Sequence, residues 1–458
     1  MQKNFAICWL TWKAAFRFRL FLVIAVLLLA AVVGLPMLIK SDGTAEGFTE
    51  ILITYTLSTI TALLGLSTLW LSCGTLARDI EECQIQIVST KPVARWQIWF
   101  GKWLGIVSLN AALLILSGAC VYGLLQWRAT RLPAAEQEKL RTQVLVARGV
   151  AQPPDYNAEI DSQTDQLLQQ RLKQTRISNA DLAEARKQIR EQVKATYQVV
   201  PPSYYHEWQI NLGLAKNSLH GKPLQLRIKF NAAKSTSAGT FIGLWQVGVP
   251  NTANVWRSQP MSLSANAYHE FEIRPDLFDQ NGLLTIDFVN ANNTTLLFPL
   301  EDGMEVLYPS GGFTMNFVRG LAILFCWMAL LAAIGLAAAS FLSFPVATFF
   351  SLALLIVVFS SGTLTNAVSL GTTGLGSQGS GASVADKVLL PLFKGILPVI
   401  GLVKNFSPID LLSTGRVISW AELAVAFGQI VVLFGGVVSL IGISLFARRE
   451  LATAQGNQ

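Results

Sequence analysis

The densest chemistry in this chain is a run of ionisable side chains caught between two long apolar stretches. It reads Ala77-Arg78-Asp79-Ile80-Glu81-Glu82-Cys83-Gln84-Ile85-Gln86-Ile87-Val88-Ser89-Thr90-Lys91-Pro92-Val93-Ala94-Arg95-Trp96, then Gln97-Ile98-Trp99-Phe100-Gly101-Lys102-Trp103-Leu104-Gly105. Each Arg, Asp or Glu left in hydrocarbon would cost about 3 kcal/mol or more, so the run is expected to lie flat on a membrane or to be gripped by a partner. Leu76, Ile80, Cys83 and Ile87 recur at i, i+4, i+7 and i+11 and give a helix over 78–88 one apolar face, with Arg78, Asp79, Glu81 and Glu82 around the rest. The chemistry on offer is directional charge pairing rather than catalysis. The alternative is an amphipathic helix resting on lipid headgroups, which the acidic residues disfavour against an anionic leaflet.

Other constellations are weaker. Gly374-Leu375-Gly376-Ser377-Gln378-Gly379 fits the dinucleotide fingerprint, but no strand precedes it and no acid is placed for a ribose, so a flexible loop is expected. There is no Gly-x-x-x-x-Gly-Lys-Ser/Thr phosphate loop, so the chain is not expected to hydrolyse ATP itself. His206, His220 and His269 all fall in the β-patterned region; His206-Glu207 and His269-Glu270 could hold a metal only if the fold joined them, and solvated or core histidines are expected. Trp208, Trp245, Trp256, Tyr204, Tyr205 and Tyr268 suit either a β core or a sugar-stacking platform. Cys8, Cys73, Cys83, Cys120 and Cys326 match no metal spacing and read as small apolar residues. No catalytic, cofactor-binding or metal residue is expected, and the chain does not read as an enzyme.

The elements that would position the charged run are membrane spans. Of the 458 residues, 52% are hydrophobic and 14% charged, with mean hydropathy +0.45, which excludes an ordinary soluble domain. A span needs about 20 apolar residues, and six stretches qualify: 20–39, 51–73, 104–126, 317–341, 344–366 and 423–446. Residues 388–403 tempt a seventh, but Pro391, Lys394 and Pro398 point to a re-entrant or interfacial segment over 388–420. No Asp, Glu, Lys, Arg or His is read as internal to the six spans, which disfavours an ion-coupled carrier. Lys3, Lys13, Arg17 and Arg19 before the first span, Arg78, Lys91, Arg95 and Lys102 after the second, and Arg448 with Arg449 after the last place both termini and the charged run in the cytoplasm. Trp96, Trp99 and Trp103 fit an interfacial aromatic belt. This flank bias accounts for the net charge of +7, so nucleic acid is not an expected partner.

The expected domains are 1–127, with spans one to three and the charged run; 128–315, an extracytoplasmic α+β insert; and 316–458, with spans four to six. Within the insert, 133–199 is rich in Gln, Glu, Lys, Arg, Ala and Leu and reads as a helical arm, with Ser178-Asn179-Ala180-Asp181 as a helix start. Residues 201–309 alternate, as in Leu224-Gln225-Leu226-Arg227-Ile228-Lys229-Phe230, His269-Glu270-Phe271-Glu272-Ile273 and Leu283-Leu284-Thr285-Ile286-Asp287-Phe288-Val289, and read as an antiparallel β-sandwich. Pro309-Ser310-Gly311-Gly312 reads as a pliant turn.

Residues 77–105 resemble the cytoplasmic loop of type-2 ABC transporter permeases, in which an acidic amphipathic helix leads through Lys-Pro, Arg-Trp and Gly-Lys-Trp-Leu-Gly into the third span. Ser407-Pro408-Ile409-Asp410-Leu411-Leu412, Ser419-Trp420-Ala421-Glu422 and Phe446-Ala447-Arg448-Arg449-Glu450-Leu451 are similar to the C-terminal part of that family. The large insert departs from it. The resemblance implies a six-span exporter permease in a bacterial inner membrane, working as a dimer with a second copy or a paralogue. It also implies a separate cytoplasmic ATPase that binds the ATP, so no cofactor belongs to this chain. Arg78, Asp79, Ile80, Glu81, Lys91, Pro92, Arg95 and Trp96 would then couple permease to ATPase. The rival reading is a membrane-anchored assembly or interaction protein whose exterior domain binds an extracytoplasmic partner without translocation.

Overall fold

The computed structural model describes residues 2–17, 20–38, 44–82, 93–140, 144–174, 182–234, 239–250, 252–361, 365, 391, 393–395, 397–398, 400–403 and 406–449. The chain divides into two compact units, Met1–Val146 with Gly312–Gln458, and Ala147–Gly311. The first is helical, and the second carries separate antiparallel sheets beside a pair of helices.

The first unit opens with α1 (Gln2–Arg17), α2 (Leu20–Leu38), α3 (Ala45–Glu81), α4 (Arg95–Ala129) and a short α5 (Ala134–Lys139). Thr44 starts α3 by accepting the Gly47 N–H at 3.1 Å, relieving one of the orphan donors at a helix start. With 37 residues, α3 is about 55 Å long, well beyond the ~30 Å of a hydrocarbon layer. Its last turn therefore carries Arg78, Asp79 and Glu81 as the end of one long helix. No separate amphipathic helix starts at Arg78, which revises the first half of the 78–88 expectation; the second half lies outside the described residues.

The second unit begins with β1 (Val146–Ala151), α6 (Asn157–Gln174), α7 (Leu182–Gln198) and β2 (Val199–Val200). Ile160, Leu168, Ile189 and Val193 form a small core between α6 and α7, and Arg190–Asp161 and Arg186–Asp165 pair across them at 2.9 and 3.0 Å. Next come β3 (Tyr205–Asn211), α8 (Lys216–Leu219), β4 (Leu224–Lys229), β5 (Asn231–Ala232), β6 (Thr240–Gly248), β7 (Val255–Arg257) and β8 (Met261–Ser264). The unit closes with β9 (Tyr268–Ile273), β10 (Leu283–Asn290), β11 (Leu296–Leu297) and β12 (Met304–Gly312). One sheet runs β1-β12-β4-β9, another β3-β10-β6-β7 with β8 also on β6, and a small one β2-β11-β5. Leu224, Leu226 and Ile228 of β4 join Trp245, Val247, Ile286 and Phe288 of the other sheet in one core, as period-2 alternation requires. Two features differ from the sequence reading. β1 interrupts the helical arm expected over 133–199, and Pro309–Gly312 is the end of a strand rather than a loose turn.

Helices resume with α9 (Phe313–Ala339), α10 (Phe344–Phe359), α11 (Pro408–Ser413) and α12 (Trp420–Ala426). The last of these continues without a break through a π-helical segment, Phe427–Gly435, into α13 (Gly436–Arg448). Where α9 crosses α3, Gly335 faces Ser72 with no room for a Cβ, and a Cβ on Gly105 of α4 would stand 2.7 Å from that of Thr11 on α1. Such small-residue contacts let helix backbones approach where hydrophobicity alone does not drive association.

Among the described residues, five helices are long and apolar enough to cross a membrane: Thr49–Glu81, Arg95–Ala129, Phe313–Ala339, Phe393–Ser413 and Trp420–Arg448. Leu22–Met37 and Phe344–Val358 are apolar but shorter. Four of the six expected stretches thus fall in long helices, and those at 20–39 and 344–366 fall on the short ones. The Phe393–Ser413 stretch leaves helical geometry at Phe406 and Ser407, before α11 restarts at Pro408.

Candidate functional site: a charged junction of helix ends

The ionisable residues singled out in the sequence gather where the C-terminal ends of α3, α9 and α13 meet the N-terminal ends of α4 and α10. Asp79 and Thr75 on α3 face Lys102 on α4, whose ammonium bonds Asp79 Oδ2 at 2.5 Å and the Thr75 carbonyl at 2.7 Å. Lys102 is 8% exposed, so this pair is what makes its burial tolerable. Glu81 Oε1 accepts the Phe344 N–H at 2.9 Å. A carboxylate there satisfies an unpaired donor and sits at the positive end of the α10 dipole. The Arg78 guanidinium lies 4.5 Å from the centre of the Phe344 ring, which Trp70 meets edge-on at 5.3 Å.

Arg95, the first residue of α4, closes the opposite polarity. Its Nη1 donates to the carbonyls of Phe446, Ala447 and Arg449 at 3.2, 2.6 and 2.9 Å, capping the carboxyl end of α13. Arg449 in turn donates to the Ala339 and Ser340 carbonyls at the end of α9, at 3.4 and 3.2 Å. Cations thus sit on helix C-termini and an anion on an N-terminus. The junction can lock five helix ends into one body, and among the described residues it presents no nucleophile–base pair.

Several expectations change here. Trp99 is fully buried with its indole N–H 3.3 Å from Ser340 Oγ, and Trp103 donates to the Ala329 carbonyl at 3.0 Å. These two bind α4 to α9, whereas Trp96 is half exposed. Ile80 is partly buried against the core that Leu76 joins. Lys91 and Pro92 lie outside the described residues, as do Cys83, Ile87, Ser178-Asn179-Ala180-Asp181 and Gly374–Gly379. Lys102 and Arg449 were not picked out as site residues. A lysine within an apolar helix needs a partner, and that signal could have found Lys102. Arg319 is likewise buried near the start of α9, its guanidinium 5.4 Å from the Trp420 ring, although that stretch was read as free of internal charge.

In the second unit, His206 lies tilted against Trp208 with ring centroids 4.3 Å apart, His220 meets Asp276 at 3.0 Å and His269 meets the Ser264 carbonyl at 2.8 Å. Burial lowers the pKa of His206. Among the described residues no group of three His, Cys, Asp or Glu side chains is placed to hold a metal. Trp208 and Trp245 belong to the core, whereas Tyr204 and Tyr205 are exposed. On the outer face of the β3-β10-β6-β7 sheet, Glu207 stands directly opposite Asp287, and burial together with the Glu207 charge raises the Asp287 pKa. Comparison with known protein families, curated proteins and solved structures finds no match to this chain.

Proposed function

We propose that this chain is the permease subunit of an ATP-driven exporter of the type-2 ABC class. In this reading α2, α3, α4, α9, α10 and the α12–α13 helix cross a bacterial inner membrane as six spans, with 388–420 re-entrant. A second copy or a paralogue completes the dimer, and a cytoplasmic ATPase supplies the energy. The observation that carries the reading is the charged junction. A partner pressing on the 78–96 region would move five helix ends together, as a switch between two packings of a bundle requires.

The junction also sharpens the roles of the residues. Asp79, Glu81 and Arg95 make the platform stiff by bonding within the chain, Arg78 leans on α10, and Trp96 with the chain leading into α4 is left to meet the ATPase. The rival, an anchored interaction protein, draws on the exposed Tyr204 and Tyr205 beside Glu207 and Asp287. One experiment separates the two. Tagged full-length protein is purified from its native membrane in lipid nanodiscs and assayed for vanadate-sensitive ATP hydrolysis. A co-purifying ATPase, lost in Trp96→Glu with the permease still inserted, is the expected result. Purified chain with no associated ATPase overturns the exporter reading.

A further inference from the structure

The last long helix is pinned at both ends and irregular in the middle. At its start, the Ser419 hydroxyl accepts the Glu422 N–H at 3.0 Å while Glu422 accepts the Ser419 N–H at 3.2 Å, a reciprocal cap. Asn316 of α9 holds the approach, donating to the Arg416 carbonyl and accepting the Ile418 N–H, both at 2.7 Å. At its far end Arg95 grips three carbonyls. Between these anchors Phe427–Gly435 is π-helical over nine residues. π geometry is rare and poorly favoured, and it appears mostly as short bulges at functional places. Over nine residues it takes up about one residue more than an α-helix spanning the same turn.

We propose that Phe427–Gly435 is a register joint, in which the surplus residue migrates along the helix and turns the segment against α9 while both ends stay anchored. Each step of migration exchanges one backbone hydrogen-bond partner and rotates the residue it passes by about 100°. The side chains suit this. Ile430 is fully buried and Val431 and Phe434 pack on the core, while Val432 and Leu433 are exposed. All five are apolar, so a rotation of 430–434 exchanges one hydrophobic face for another, and Gln429, partly buried, is the one polar side chain that the segment carries. Gly428, the second residue of the joint, and Gly436, just after it, have open space where a Cβ would be, so close packing does not require these glycines. Their low helix propensity instead lowers the cost of shifting hydrogen bonds at the edges. The use of this motion in transport rests on the exporter reading; the motion itself does not.

The test is hydrogen exchange of the full chain in lipid nanodiscs, which needs neither substrate nor ATPase. Amides of 428–436 are expected to exchange about tenfold faster than those of 438–446 in the same helix. Deleting Val432 removes the surplus residue and restores a regular helix with both anchors in register. That variant is expected to bring the two rates within about twofold with an unchanged or higher melting temperature. Gly436→Ala, which fits the space, is expected to slow exchange of the joint about fivefold without altering its length. Equal protection of the two regions in the parent chain, or unaltered exchange in both variants, overturns the proposal. A deletion variant that melts markedly earlier does so too, because the segment is then a fixed packing element. If exchange behaves as expected but no ATPase co-purifies, the joint stands and the exporter reading falls.

Discussion

At the scale of single residues, stability in this chain turns on charges that have been taken out of water and given partners. Lys102 is the sharpest case. Removing its carboxylate with Asp79→Ala leaves an ammonium in an apolar helix whose remaining partner among the described residues is the Thr75 carbonyl, at 2.7 Å. Breaking a fully buried pair costs about 3–5 kcal/mol. The Asp79 side chain keeps about a third of its exposure, so the expected loss is smaller, about 2 kcal/mol. Asp79→Ala combined with Lys102→Met is expected to regain most of it, as a lower melting temperature in the single variant and recovery in the double would show. Asp287 behaves in the opposite sense. Its pKa is raised by burial and then by Glu207, so the folded state holds the proton more tightly than the unfolded one and ionisation opposes folding. Asp287→Asn is therefore expected to stabilise the protein at pH 7 by about 0.5 kcal/mol, typical of relieving like charges placed directly opposite on neighbouring strands. The advantage is expected to shrink as pH falls through the folded pKa and to vanish below the unfolded value near ~3.9. Urea melts at pH 7 and pH 3.5 measure both; an advantage persisting at the lower pH would refute the charge explanation.

At the scale of elements, period and composition carried much of the pattern and long-range pairing decided the rest. The alternating runs at 224–230, 269–273 and 283–289 coincide with β4, β9 and β10, because each strand turns one face to a shared core and the sequence records that face. The Gln- and Lys-rich arm contains α6 and α7 for a similar reason, since helix propensity is a local quantity. β1 was not legible. Val146-Ala147-Arg148-Gly149-Val150-Ala151 has little intrinsic strand preference and owes its state to lying beside β12. The same pairing turned Pro309–Gly312 from a turn into a strand. In the helical unit the apolar stretches were visible, but their ends were not. The α3 pattern changes from apolar to charged at Arg78 and suggested a new element, yet nothing in Leu76-Ala77-Arg78-Asp79 breaks a helix, and α3 runs on to Glu81. The candidate site was half legible. The charged run was recognised, but its partners Phe344, Phe446 and Arg449 lie more than 200 residues away, and no local pattern announces them.

At the scale of the whole molecule, the inserted unit has the physical marks of a domain that folds by its own core. Its apolar interior, from Trp208 and Ile228 to Phe288 and Val306, is drawn wholly from residues within Ala147–Gly311, as is the smaller core of the α6–α7 pair. Its ends also lie together. β1 and β12 are neighbours in one sheet, and a Cβ placed on Gly311 would stand 4.0 Å from that of Ala147. A chain that leaves and returns at adjacent points closes its connection at little entropic expense. Residues 147–311 produced alone are therefore expected to be soluble and to unfold in one cooperative transition. The near-ultraviolet signal of Trp208 and Trp245 should disappear with the far-ultraviolet β signal. With 165 residues (311 − 147 + 1), a stability of about 5–15 kcal/mol is expected. Replacing the same residues in the full chain by a four-residue Gly-Ser linker is expected to leave membrane insertion and the Arg95–Ala447 junction intact, read as unchanged melting of the helical signal. An excised unit that aggregates or melts without cooperativity, beside a linker variant that fails to insert, would mean that the two halves of the chain fold only together.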